Sequence, residues 1–335
     1  MKRPEISILL PFYNAKKTLN RAMESISSQT FKNFECILIN NNSSDNSPTI
    51  AKEFCKKDPR FLLISEDMQG VVYANNKGLN IARGKYIARM DADDRCYPER
   101  LSTQYDYLEN HKECGIVAGQ ARYVANKPNT DGFLRYVTWS NRILDFCDIY
   151  LNQFIESPII NPTVMWRKEI SDQYGSYENG DFPEDYELWL RWLDKGIQFH
   201  KVNNPLIKWY DSEHRLTRTD ARYSDEAFYK IKTFYLAKWL KTNNPFHPSV
   251  VVWGASKISR KRVYLLESHH IEISNFIDIS KKRQLDKEII YYKDIPSPEK
   301  IFVLVYLKEE TMRTNTISFL KEKGFVAGEN YLLVS

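Results

Sequence analysis

Three carboxylates crowd one short stretch, Asp91-Ala92-Asp93-Asp94, between the apolar run Tyr86-Ile87-Ala88 and the helix start expected at Tyr97-Pro98. Carboxylates gathered at a strand end are costly to leave unpaired. A hard divalent cation takes oxygen ligands and also bridges to phosphate oxygens, so it is the natural neutraliser. In this reading Asp93 is the metal ligand and Asp91 accepts from a ribose hydroxyl, while Asp94 is structural, capping or pairing with Arg89. A second acidic pair, Glu184-Asp185, follows Asp181-Phe182-Pro183. Pro183 suits a helix start, which puts both acids in the first turn. There they either complement the helix dipole or supply a general base.

Two polar turns belong to the same constellation. Leu10-Pro11-Phe12-Tyr13-Asn14 offers Pro11, Tyr13 and Asn14 to a base and ribose, or is simply a strand–helix turn with a good cap. Asn40-Asn41-Asn42-Ser43-Ser44-Asp45 presents amides that carry donor and acceptor together, as the edge of a pyrimidine does. The same residues also dominate ordinary turns.

Short apolar runs place these turns. Strands are expected at Ile6–Leu10, Cys36–Ile39, Phe61–Ile64 and Tyr86–Met90, with helices between them, the first carrying Leu19, Ala22, Met23 and Ile26 on one face. Strands alternating with helices imply a parallel sheet covered on both faces. Ligands of such sheets sit at the carboxyl ends of the strands, where the Asn40 and Asp91 loops both fall. Amphipathic helices are expected over 141–156 and 184–193. The polar, proline-bearing stretch 241–248 reads as a boundary between a domain of residues 1–240 and a smaller one of residues 247–335.

Bulk properties narrow the function classes. The chain has 335 residues, with 42% hydrophobic and 27% charged, which describes a globular protein with real cores. A net charge of +5 is too mild and too dispersed to argue for nucleic acid. The five cysteines show no metal-ligand spacing, and residues 1–10 read as a strand rather than a leader, so reduced thiols and a cytoplasmic location are expected. No apolar run approaches ~18 residues, so any membrane contact is expected to be peripheral.

Taken in order, these motifs resemble family 2 glycosyltransferases with the GT-A fold, over roughly residues 4–220. The resemblance rests on Pro11-x-Tyr13-Asn14, Asn40-Asn41-Asn42-Ser43-Ser44-Asp45, Gly70 with Ala74-Asn75-Asn76-Lys77-Gly78, Arg89-Met90-Asp91-Ala92-Asp93-Asp94, and Glu184-Asp185-Tyr186-x-Leu188-Trp189. It implies inverting transfer of a sugar from a nucleotide donor, UDP-linked first, with GDP and dTDP as alternatives. Mn²⁺ or Mg²⁺ is the implied cofactor, and a glycan or lipid-linked acceptor of surface polysaccharide synthesis the implied partner. Asp185 is the implied base, with Glu184 the alternative. Pro11, Tyr13, Asn14, Asn40, Asn41, Gly70, Asn76, Arg89, Asp91 and Asp93 are implied on the donor side. The stretch Trp209–Asp220 resembles the segment that closes over the diphosphate, so Arg215 and Arg218 become phosphate candidates. His214 either reaches the metal or belongs to a solvated loop. Asn161–Met165 resembles an acceptor-side segment. The chain departs from the family at Asn40 and Asn41, where relatives commonly carry Asp, so a uracil N3–H would meet an uncharged acceptor.

The C-terminal stretch adds a smaller Rossmann-like module. Gly254-Ala255-Ser256-Lys257-Ile258-Ser259 follows the strand Val250–Trp253, and Asp278 ends the next strand, which is the placement of a dinucleotide fingerprint. Two of its three glycines are Ser256 and Ser259. An accessory module for homo-oligomer assembly or acceptor positioning is therefore expected ahead of an NAD(P)-dependent oxidoreductase. A non-catalytic sugar-nucleotide scaffold is the remaining alternative.

Overall fold

The computed structural model describes residues 3–125, 131–212, 215–280, 285 and 287–335. Two units emerge, residues 1–149 with 158–221, and residues 150–157 with 222–335. The division falls near residue 221 rather than in the 241–248 break. The helix Asp225–Asn243 packs within the second unit, together with Tyr150 and Phe154, whose rings meet Trp239.

The first unit is built on β1 (Ile6–Phe12), β2 (Phe34–Asn40), β3 (Phe61–Ser65), β4 (Tyr86–Arg89), β5 (Arg95–Cys96), β6 (Cys114–Val124), β7 (Met165–Arg167) and β8 (Gln198–Tyr210). They form one sheet in the order β3-β2-β1-β4-β7-β6-β8-β5. The β1, β2 and β4 strands are nearly continuous apolar runs buried on both faces, which suits the centre of a parallel sheet. Pairing is parallel from β3 through β4, and β7 then runs antiparallel to both β4 and β6. The β6 and β8 strands are parallel, so β1, β2, β4 and β8 all end on one edge. That edge carries the loops after Phe12, Asn40 and Arg89, and the chain leaving Tyr210.

The helix expected over 141–156 is shorter, Phe146–Asn152, and a separate helix, Asp131–Arg142, ends where it was expected to begin. The Asp145 carboxylate accepts from the Asp148 N–H at 2.8 Å and so restarts the helix where the apolar spacing alone suggested continuity. Glu184–Asp194 is helical, as the Pro183 start predicts.

One glycine makes the β1–β4 contact. A Cβ on Gly84 would lie 2.5 Å from the Ser7 backbone nitrogen and 2.7 Å from the Ile6 carbonyl carbon. The Gly84 N–H also donates to the buried Ser7 hydroxyl at 2.8 Å. Gly84→Ala is expected to destabilise the protein by ~1–3 kcal/mol, the usual cost of forcing backbone apart in a packed core. A fall in the urea midpoint with unchanged slope checks this; an unchanged midpoint refutes it.

The second unit has five parallel strands, β9 (Ser249–Trp253), β10 (Glu272–Asp278), β11 (Ile289–Tyr291), β12 (Val303–Val305) and β13 (Tyr331–Leu333), in the order β11-β10-β9-β12-β13. At its switch point the polar groups are already spent. Ser256 caps the next helix by accepting the Ser259 N–H, and the Ser259 hydroxyl donates to the Tyr306 carbonyl at 3.0 Å. Gly254 has φ +122°, and a Cβ there would lie 2.7 Å from the Tyr306 carbonyl oxygen. Its glycine character serves strand-to-strand packing. Among the described residues no helix is long and apolar enough to cross a membrane. The basic run 281–283 lies outside the described residues.

Candidate active site

The Asp loop forms where β4 ends. Asp91, Asp93 and Asp94 bring one carboxylate oxygen each to within 4.8 Å of one another. Asp94 is fully buried: its Oδ1 accepts the Tyr210 N–H at 2.9 Å, while its Oδ2 is buried with no partner among the described residues. Burial and the neighbouring Asp93 and Asp91 push the Asp94 carboxyl far above the usual carboxylate range. Burial and Asp91 also raise Asp93, against the opposing charges of Arg215 and Arg21. Three carboxyl groups this close, two of them with raised proton affinity and one with an orphaned oxygen, are chemically a fit for a divalent cation with oxygen ligands.

The loop is braced from below by residues that sequence reasoning missed. Arg100, 1% exposed, donates to the Arg89 carbonyl at 2.6 Å and the Val164 carbonyl at 3.3 Å. Burial lowers its guanidinium to about 10. Gln104 donates to the Val117 and Thr163 carbonyls, both at 2.9 Å, and so ties the segment 161–165 to the sheet. Arg21 donates to the Asp93 carbonyl and stacks on the Tyr210 ring at 3.7 Å. No local pattern distinguishes these arginines from surface ones; what separates them is the depth at which their helices pack.

Several candidates occupy places other than those expected. Arg89 is 3% exposed and pairs with Asp91 at 2.8 Å, not with Asp94, so it acts as a buried counter-charge. Asn41 spends its whole amide on the chain: it donates to the Met68 carbonyl at 2.7 Å and accepts the Gly70 N–H at 2.8 Å. Gly70, at φ +139°, starts the next helix. Asn40 accepts the Ser43 N–H at 3.1 Å. Asn14, at φ +48°, accepts from the Ser44 and Asp45 N–H groups, which locks the first two loops together. Tyr13 is exposed and Pro11 half-buried beside them. Arg215 stacks on Trp209 at 3.7 Å, with its charge acting on Asp93 and Asp94. Arg218 is instead bidentate to Asp211, at 2.9 and 3.0 Å, and also donates to the Ser212 carbonyl. His214 lies outside the described residues.

The acidic pair on the helix Glu184–Asp194 faces the Asp loop electrostatically. Glu184 is 2% exposed, whereas Asp185 is half-buried and accepts the Tyr186 N–H at 2.7 Å. Burial, then the neighbouring Glu184, push the Asp185 carboxyl up to about 8, with Asp91 adding to the rise and Arg89 opposing it. A carboxylate with such a value holds and releases a proton near neutrality, as a general base must. Asn76 instead clamps Tyr177, donating to its carbonyl at 2.8 Å and accepting its N–H at 3.2 Å.

The arrangement therefore groups three carboxylates suited to a cation at one edge of the sheet and adds a carboxyl of raised proton affinity. The glycosyl transferase family 2 profile matches residues 7–175 of the chain. An uncharacterized glycosyltransferase of Haemophilus influenzae is 32% identical over 298 residues, covering 81% of this chain and 82% of that protein. The UDP-Glc:alpha-D-GlcNAc-diphosphoundecaprenol beta-1,3-glucosyltransferase WfaP of Escherichia coli is 30% identical over 210 residues, covering 59% and 74%. Among solved structures, S. aureus TarS 1–349 in complex with UDP-GlcNAc aligns with a TM-score of 0.57 at 14% identity, over 79% of this chain and 71% of that one. At that identity the likeness is one of fold.

Proposed function

The chain belongs to glycosyl transferase family 2, and from that membership we propose metal-dependent, inverting transfer of a sugar from a UDP-linked donor to a hydroxyl of a glycan or lipid-linked acceptor. The protein is an enzyme, a glycosyltransferase whose first unit has the GT-A fold. The setting we assign is cell-surface polysaccharide synthesis on the cytoplasmic side, in keeping with the relative that acts on a diphosphoundecaprenol-linked sugar. The observation that carries the reading is the pairing of two acidic groups at one sheet edge: a triad suited to a cation, and Asp185 with a proton affinity suited to a base.

In this mechanism Asp185 accepts the proton of the acceptor hydroxyl as its oxygen bonds to the anomeric carbon. The bond from that carbon to the diphosphate breaks on the opposite face, and its electron pair leaves with the diphosphate, so the configuration inverts. Arg215, stacked on Trp209 and directed at the Asp loop, faces the departing negative charge. Arg89 pairs with Asp91 at 2.8 Å and holds its side chain in place beneath the donor. Asp93, with Asp91 or Asp94 beside it, would hold Mn²⁺ or Mg²⁺, which when bound supplies Lewis-acid stabilisation of the leaving group.

A thermal-shift screen with UDP, GDP, dTDP and NAD⁺, each with and without Mn²⁺, tests this reading. A ligand that binds only the folded state raises the melting temperature by mass action, by ~2–4 °C per kcal/mol in units of this size. The expected result is a Mn²⁺-dependent rise with UDP and none with NAD⁺. A rise with NAD⁺ alone would move the chemistry to the second unit and overturn the proposal.

A further inference from the structure

The segment before the base carries a side chain that neither the motifs nor the mechanism uses. Tyr177 is 3% exposed, and its hydroxyl is buried with no hydrogen-bond partner among the described residues. Buried hydroxyls are normally satisfied, and a phenylalanine would fill the same volume without the penalty of an unpaired polar atom. The backbone around it is, by contrast, held from both sides. Arg191 donates to the Tyr174 and Ser176 carbonyls, each at 2.6 Å, while its Nε pairs with Glu187 at 2.9 Å. Trp192 donates to the Gly175 carbonyl at 3.2 Å. Gly175, at φ +88°, lets the guanidinium approach, because a Cβ there would lie 2.7 Å from its Nη1. Asn76 grips the Tyr177 N–H and carbonyl. A rigidly held loop thus presents one unpaired hydroxyl, the form of a preorganised contact group with its own supporting residues.

Burial raises the proton affinity of this phenol, and four charged residues of the site act on it. They are Arg89, Glu184, Asp185 and Asp91. Asp91 belongs to the donor side of the site, and Asp185 to the bond being made. The part of a bound donor that lies between the diphosphate and the acceptor oxygen is the transferred sugar itself. Resting on the transferase reading above, we propose that the Tyr177 hydroxyl hydrogen-bonds an oxygen of the transferred sugar and makes Tyr177 a determinant of donor-sugar specificity. A phenol can donate to, or accept from, a ring hydroxyl, and donate to an N-acetyl carbonyl.

Calorimetric titration of the full chain and Tyr177→Phe in Mn²⁺ tests this, with UDP, UDP-glucose, UDP-galactose and UDP-N-acetylglucosamine as probes. The variant is expected to bind UDP as the parent does. It is expected to lose about tenfold of the affinity that the preferred sugar adds over UDP, with narrowed discrimination among the three sugars. Unchanged sugar-donor binding overturns the proposal, and so does an equal loss for UDP and the UDP-sugars. Melting without ligand is an independent check. Removing an unpaired hydroxyl leaves the transition in place or raises it, whereas a fall of several degrees means the hydroxyl is bonded within the protein and the proposal fails. A parent protein that binds none of the probes fails the transferase reading first, and this inference with it.

Discussion

Asp185→Asn is expected to cut sugar transfer by ~10²–10⁴-fold, the range lost with a positioned general base. Donor binding should stay within about twofold, because the amide keeps the carbonyl that accepts the Tyr186 N–H. The pH profile of the parent adds a signature. The carboxyl is pushed up to about 8 by burial and by Glu184, so the base is protonated below that value and the rate rises with pH through it. The apparent value belongs to the Glu184–Asp185 pair rather than to one residue. Stability runs the other way. A carboxyl raised above its unfolded value keeps its proton in the folded state, so the folded protein binds more protons than the unfolded chain from about pH 4 to about pH 8, and stability falls as pH rises through that window. Asp185→Asn removes this loss, and the variant should melt at the same or a higher temperature at pH 8. A variant that turns over within tenfold of the parent would remove Asp185 from the base role.

Asp93→Ala is expected to abolish the Mn²⁺ dependence of UDP binding and to lower kcat/KM by ~10²–10³-fold, the scale of losing several kcal/mol of charge stabilisation at the leaving group. The metal-free protein should not lose stability, because Asp93 carries a carboxyl already raised by burial and by Asp91. Titration with UDP in Mn²⁺ and in EDTA measures both states. Equal Mn²⁺ enhancement in parent and variant would remove Asp93 from the metal site. Asp94→Asn offers a contrast, since an amide oxygen can keep the bond to the Tyr210 N–H while an NH2 group, which cannot ligate a cation, takes the place of the unpartnered Oδ2.

Much of the framework was legible along the chain. The apolar runs of β1, β2 and β4 identified strands buried on both faces, and the loops after them fell on the edge that carries the Asp triad. The Pro183 start placed Glu184 and Asp185 in the first helical turn. Such features depend on residues within a few positions of one another. The side chains of the polar loops were harder to assign. Asn41 reads as a ligand group in sequence but closes its own chain onto Met68 and Gly70. Asn76 reads the same way and instead clamps a residue 101 positions away. Arg218 matched a phosphate contact by position yet is neutralised by Asp211. An amide or guanidinium has the same appearance in a sequence whether its partner is a substrate or the protein's own backbone.

By itself the sequence determined the alternation of strands and helices, the order of the motifs and the chemistry available at each loop, because spacing and residue type are local properties. Only the tertiary structure decided which of those groups are free to act. Burial raises the proton affinities of Asp94 and Asp185, distant backbone donors and acceptors consume Asn41 and Asn76, and the Tyr177 hydroxyl is left unpaired among charges contributed by residues 89 to 185. Desolvation and hydrogen-bond satisfaction depend on what surrounds a group in space, and segments more than a hundred residues apart supply those surroundings.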